Sequence, residues 1–306
     1  MKYLIILTAM VVLAVPVMAD TFGTGDNQFI IDFVTISGAT NPSSGLPAGD
    51  GFTFTGVAND YRMGKYEITN DQWNKFKAAY GTVAGTPTSA YDSNPYWTGT
   101  NVPTNCASWY EAAQFVNYLN TSTGHTAAYN FTGTIHTSSY TLDVWGAGDA
   151  DGTNLYRNKN AKYFLPTENE WVKAAYWNGT KLQTYATKAG ESLTQGNGTS
   201  GTGWNYYNNG YATNPYGPWA VGSGSEELNG TYDMMGNVWE WMESPDYTGD
   251  YTFGSLRGLR GGSYGYTGPL GSPDREYDTI GFRVASIPEP CTLLLLGVGG
   301  VMIRKR

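Results

Sequence analysis

The stretch "NQFIIDFVTI" (residues 27–36) alternates apolar and polar positions, the period of a strand. Three later stretches shift to the helical period. Trp73, Phe76 and Tyr80 share one face of the first. Trp109, Ala112, Ala113, Val116 and Leu119 share a face of the second, and Trp171, Ala174 and Ala175 of the third. Each opens with a capping box: Thr69 with Gln72, Ser108 with Glu111, Thr167 with Glu170. The hydroxyl accepts from the N3 amide while the Gln or Glu reaches back. Such a cap contributes about 1 kcal/mol. The pattern predicts three short helices packed on a common core. Residues 121–160 and 178–230 are rich in Gly, Ser, Thr and Asn and read as long loops with short hairpins, such as "SYTLDVW". Short aromatic strands return over 231–286. The class is α+β, loop-rich, with three short capped helices and small antiparallel sheets.

Both ends depart from this pattern. The start, "MKYLIILTAMVVLAVPVMAD", has the basic Lys2, an apolar run from Tyr3 to Val15, and the small-residue site Val17-Met18-Ala19. That order predicts a secretory signal peptide over residues 1–19. The end, "IPEPCTLLLLGVGGVMIRKR", has a Pro-Glu-Pro turn, an apolar run over 292–303 and three bases. The run is shorter than the ~20 residues that span a bilayer. Residues 288–306 resemble the PEP-CTERM sorting signal of Gram-negative bacteria. The resemblance implies processing by a membrane exosortase, transient membrane association through this segment, and a final place at the envelope surface or in extracellular matrix. The mature domain is expected over 20–287.

Composition narrows the chemistry. The chain holds 24 Tyr, 10 Trp and 11 Phe among 306 residues, so aromatic packing must tie its loops together. Net charge is −8 and no basic cluster occurs, which argues against a nucleic-acid partner. Two cysteines, Cys106 and Cys291, provide no disulfide framework. Two histidines, His125 and His136, cannot supply a three-histidine metal site and leave little for a Ser-His-Asp triad. "DADGTN" at 149–154 suggests a calcium loop, but its sixth position is Asn154 and its twelfth Asn160, so an EF-hand is rejected in favour of a polar turn.

Six collinear segments resemble the formylglycine-generating enzyme (sulfatase-modifying factor) family: "YRMGKYEITNDQWNKF", "VPTNCASWYEAAQFVNYLN", "KYFLPTENEWVKAAY", "YDMMGNVWEW", "LRGGSY" and "IGFRVAS". They cover about residues 61–286. The resemblance implies a single C-type-lectin-like domain. It also implies a calcium site in "YDMMGNVWEW", with carboxylate oxygens from Asp233 and Glu240 and backbone carbonyls from Gly236 and Val238. Ca²⁺ wants several hard oxygens, and a tight Gly turn lets carbonyls point inward. Asn205 is a weaker match to a second calcium site. Alternation along a strand would put Trp239 and Trp241 on the face opposite Glu240. The competing reading pairs Glu240 with Arg260 or Arg283.

The family's oxidase chemistry uses two cysteines shortly after the Gly-Gly-Ser segment. They bind copper(I), which soft thiolates select. Here an ungapped carry-over places Tyr266 and Gly271 there, and no Cys lies between Cys106 and Cys291. No copper is therefore expected. The related sulfoxide synthases need three histidines, which the chain lacks. Hypervariable lectin-like relatives carry many Asn codons before the final "GFR", and residues 261–283 contain no Asn. The leading expectation is an exported, non-catalytic lectin-like protein that binds polysaccharide or another envelope or matrix ligand. Trp204, Tyr206, Tyr207 and Trp219 of "WNYYNNGYATNPYGPW" are candidates to stack on sugars. Two alternatives remain: an oxidoreductase with altered chemistry, and a structural extracellular-matrix protein.

Overall fold

The computed structural model describes residues 18–42, 46–47, 52–265 and 270–288. Residues 1–17 of the expected signal peptide, residues 289–306 of the expected sorting signal, and Tyr266 lie outside the described residues. In chain order the elements are β1 (Met18–Phe22), β2 (Phe29–Ile36), β3 (Leu46–Pro47), β4 (Thr53–Phe54), β5 (Tyr61–Gly64), α1 (Asn70–Tyr80) and α2 (Trp109–Ser122). Then come β6 (Asn130–Thr132), β7 (Thr141–Asp143), β8 (Ala150–Asp151), β9 (Asn154–Asn158), β10 (Tyr163–Phe164), α3 (Glu168–Tyr176), β11 (Trp239–Pro245), β12 (Arg257–Arg260), β13 (Leu270–Gly271), β14 (Ile280–Gly281) and β15 (Ala285–Ser286). The alternating stretch at 27–36 becomes β2. All three capping boxes form with both reciprocal bonds. "SYTLDVW" supplies β7 of the β6–β7 hairpin, and "DADGTN" the polar turn between β8 and β9.

Two sheets organise the domain. The first runs β1-β2-β5-β15-β10, and all its pairings are antiparallel. It places the start of the described chain beside its end. Arg62 of β5, fully buried, joins them. Its Nη1 and Nη2 donate to Asp20 (2.9 and 2.5 Å), and its Nε donates to Ser286 Oγ (2.8 Å). The second sheet runs β13-β12-β11-β14, with β11 and β14 parallel.

The helices do not share one core as the pattern suggested. Trp73, Phe76, Trp109, Phe115 and Leu119 of α1 and α2 join a first cluster with Trp241. The stripe of α3 (Trp171, Ala174, Ala175) packs in a second cluster with Met234 and Met242. The reason is β11, which is buried on both faces. Trp241 points to one cluster and Met242 to the other, so each helix layer finds its own side of the strand. Glu240 follows the alternation and points away from Trp241 into the second layer. Among the described residues no helix is long and apolar enough to cross a membrane.

Candidate functional site

The segment "YDMMGNVWEW" enters β11 through a turn with positive φ at Asp233 (64°), Gly236 (127°) and Asn237 (63°). Asp and Asn tolerate that region better than other side chains. Gly236 is required for a second reason. A Cβ there would lie 2.3 Å from the Asn205 carbonyl oxygen. Without it, the 204–219 loop comes down onto the turn and Asn237 becomes a junction. The Asn237 N–H donates to Asn205 O (2.7 Å), and its Oδ1 accepts from Trp219 N–H (2.8 Å). Its Nδ2 donates to Glu67 (2.7 Å), and its carbonyl accepts from Tyr264 N–H (2.9 Å).

Beneath the turn lies a buried ion pair. Arg283 Nε and Nη2 donate to Glu240 Oε2 (2.6 Å) and Oε1 (2.5 Å), and both side chains are fully buried. Trp171 Nε1 also donates to Glu240 Oε2 (2.8 Å). Three more buried carboxyls surround the pair. Glu67 accepts from Val238 N–H, Asp233 from Gly222 N–H, and Glu227 from the Thr231 hydroxyl and Met234 N–H. Glu227 Oε1 has no hydrogen-bond partner. Four acids thus face one guanidinium. Burial pushes Glu227 up to about 8 and Asp233 up to about 6. Burial, then the charges of Asp233 and Glu240, raises Glu67 well above the usual range. Burial is the largest influence on Arg283 and would lower it, but the charge and hydrogen bonds of Glu240 with the charges of Glu67 and Glu227 together outweigh it and hold the guanidinium charged.

Above the junction, aromatic rings line the surface. Tyr96 meets Trp97 at 5.0 Å between centroids, and Trp97 meets Tyr216 at 6.0 Å. Tyr216 stacks on Tyr211 at 4.6 Å, and Tyr211 meets Tyr207 at 5.5 Å. Tyr96, Tyr207, Tyr211 and Tyr216 are exposed. The row is anchored from below: Trp97 Nε1 donates to Tyr264 Oη (2.8 Å), which donates to Asp278 (2.8 Å). Three candidates from the sequence, Trp204, Tyr206 and Trp219, do not join it. Trp204 and Trp219 are buried, because the Asn205 and Trp219 backbones are drawn onto Asn237. Tyr206 is half-buried and Tyr207 is on the row. Tyr96, Trp97, Tyr211 and Tyr216 were not singled out from the sequence. Tyr96, Tyr211 and Tyr216 share only the signal of an aromatic in a loop next to Pro or Gly, which occurs too often in this chain to select them, and Trp97 lacks even that.

The family model for the sulfatase-modifying factor enzyme 1-like domain matches residues 53–287. The chain belongs to this family. Chaperone protein LppX of Paenibacillus barcinonensis is 28% identical over 210 residues, which are 61% of this chain and 65% of that protein, just under two thirds of its length. Treponema denticola variable protein 1 superposes with a TM-score of 0.58 at 22% identity, covering 88% of this chain and 99% of that one. CarF does so with a TM-score of 0.57 at 19% identity, covering 85% and 99%. These likenesses carry the C-type-lectin-like fold.

Against the sulfatase-modifying-factor pattern, the position carried over for the second cysteine is closed. Gly271 lies in β13, and a Cβ there would meet the buried Trp241 ring at 2.6 Å. Cys106 does not substitute. It is half-buried at φ 54°, and burial with the charges of Asp278, Glu276 and Glu111 pushes its thiol up. The helix-end activation that a low pKa would need is therefore overcome. A calcium ion at Asp233, Gly236, Val238 and Glu240 finds an incomplete fit, because Glu240 gives both oxygens to Arg283. Asn205 spends its amide on Gly217 O (3.0 Å) and Asn237 Oδ1 (3.2 Å). Among the described residues no group of three or more acids, cysteines or histidines is placed to hold a metal ion. Of the two arginines expected as rivals for Glu240, Arg283 is the partner. Arg260 pairs with Glu168 (2.6 Å).

A cleft of about 1030 Å³ lies between residues 52–61, the β8–β9 hairpin, the start of α3 and residues 244–251. None of the turn or aromatic-row residues lines it. Its arginines are committed, Arg157 to Glu170 and Glu243, and Arg260 to Glu168. Its size alone does not make it the site.

Proposed function

We propose that this chain is an exported, non-catalytic member of the sulfatase-modifying-factor-like family that binds polysaccharide on its aromatic row. The observation that carries the reading is the row itself. Five rings, each 4.6–6.0 Å from the next, are held by a buried hydrogen-bonded base, and four of them are exposed. Rigid aromatic faces beside polar loop groups suit the apolar faces of sugar rings. Asn208, Asn209 and Asn214, exposed in the same loop, offer donors and acceptors for hydroxyls. Two observations support binding over oxidation: the family's cysteine pair is missing from the sequence, and Trp241 fills the space at Gly271. The LppX relative is named a chaperone, which is also a binding role. Export rests on the leader at 1–19 and the tail at 288–306.

A glycan array probed with the purified chain tests the proposal. One class of glycan should be retained. Tyr211→Ser and Tyr216→Ser should each weaken binding roughly tenfold, the scale of one aromatic contact. An empty array, or binding untouched by both variants, would refute it.

A further inference from the structure

This inference rests on the polysaccharide reading and names the class of sugar. The aromatic row ends against acids. Trp97 and Tyr264 form a relay onto the half-exposed Asp278. Beside it, Glu276 accepts from Ser93 N–H (3.3 Å) and makes further hydrogen bonds with Asp92 and with the buried Glu111. Four carboxyl groups therefore gather where residues 92–97, the start of α2 and residues 272–278 meet; burial raises Glu111 and Glu276, so the exposed Asp92 and half-exposed Asp278 are the acids that face a ligand. The bases nearby are few. Arg275 lies over the Tyr277 ring, 5.3 Å from its centroid, and Lys77 faces Glu111. Burial first, and more weakly the charges of Asp278, Glu276 and Glu111, push the neighbouring Cys106 thiol up. The chain as a whole carries −8.

Charge of one sign at the end of an aromatic row selects its ligand. A uronate or sulfated polymer brings like charge and is repelled. A neutral glycan gains only the stacking. An ammonium gains twice, from the carboxylates and from the faces of Trp97 and the tyrosines through cation–π attraction. We propose that the aromatic face takes a glycan bearing primary amines, a polymer of de-N-acetylated amino sugars. Its rings lie along Tyr207, Tyr211, Tyr216 and Trp97, and an ammonium sits at Asp278. The row is longer than a single sugar, which favours an oligomer over a monosaccharide.

Titration calorimetry of the full chain at low salt, with protonated amines, tests this. The probes are a glucosamine hexamer, an N-acetylglucosamine hexamer, a hexauronate and hexalysine. The glucosamine hexamer should bind about tenfold more tightly than its N-acetylated form, and added salt should erode the difference. Asp278→Asn keeps an oxygen for Tyr264 and should remove the preference while leaving some binding of both hexamers. Tyr216→Ser should weaken both. Equal affinity for the two hexamers, or preference for the hexauronate, would overturn the amine assignment while the polysaccharide reading stands. Hexalysine binding as tightly, indifferent to Tyr216→Ser, would reduce the effect to charge alone and overturn it as well. No binding of any sugar would remove the polysaccharide reading itself.

Discussion

Glu240 is fully buried between a guanidinium and an indole. Its face was legible, because strand alternation turns it away from the two tryptophans. The sequence narrowed its partner to Arg260 or Arg283 without choosing, since Arg283 lies 43 residues further along the chain and Arg260 is its direct cross-strand neighbour. Losing one member of a buried pair costs about 3–5 kcal/mol. Glu240→Gln should therefore lower the melting temperature by the same amount with calcium and with chelator. If calcium instead occupied Asp233 and Glu240, chelation would lower the wild-type midpoint, and the variant would lose that response. Calorimetric scans of both proteins in both buffers separate the cases. Glu227 makes a second prediction. Its folded pKa, about 8, stands above the unfolded value of roughly 4.3. The protonated form is favoured by folding, so this contribution is full below the unfolded pKa and is lost as pH rises through about 8. Asp233 acts in the same direction with its midpoint at about 6. Stability should fall from pH 5 to pH 9, and Glu227→Gln, which stays neutral, should flatten that fall in denaturant titrations. An unchanged slope would mean that Glu227 is already ionised at low pH.

At the scale of elements, the helices were legible because everything that starts them is local. Each cap and its N3 partner lie within four residues. Their destinations were not local. The α3 stripe resembles the others, yet it packs on the other side of β11. Many strands are only two residues long, too short for any period to show. The aromatic row was legible in part, through Tyr207, because its other rings come from a separate loop at 96–97 and from positions chosen by how 204–219 folds over Asn237. The β12–β13 pair carries a prediction of its own. Gly271→Cys places a side chain into the Trp241 ring, and overpacking of this kind costs about 1–3 kcal/mol. A Tyr266→Cys/Gly271→Cys double variant should unfold earlier than the wild type and should not convert a peptide cysteine to formylglycine when given copper(I). Aldehyde formation at wild-type stability would show that the family's pocket persists.

At the scale of the whole molecule, the family's lectin-like frame is retained. Arg62 holds Asp20 with one edge of its guanidinium and Ser286 with another, so β1 and β15, near the two ends of the described residues, are tied through one side chain. The chain is thus nearly a closed ring. A short peptide bridging the ends, with new termini opened in the exposed turn at 178–180, describes a circularly permuted protein with the same core. In its native order the same geometry makes the domain a pendant. A tether at either end suspends it from the same spot.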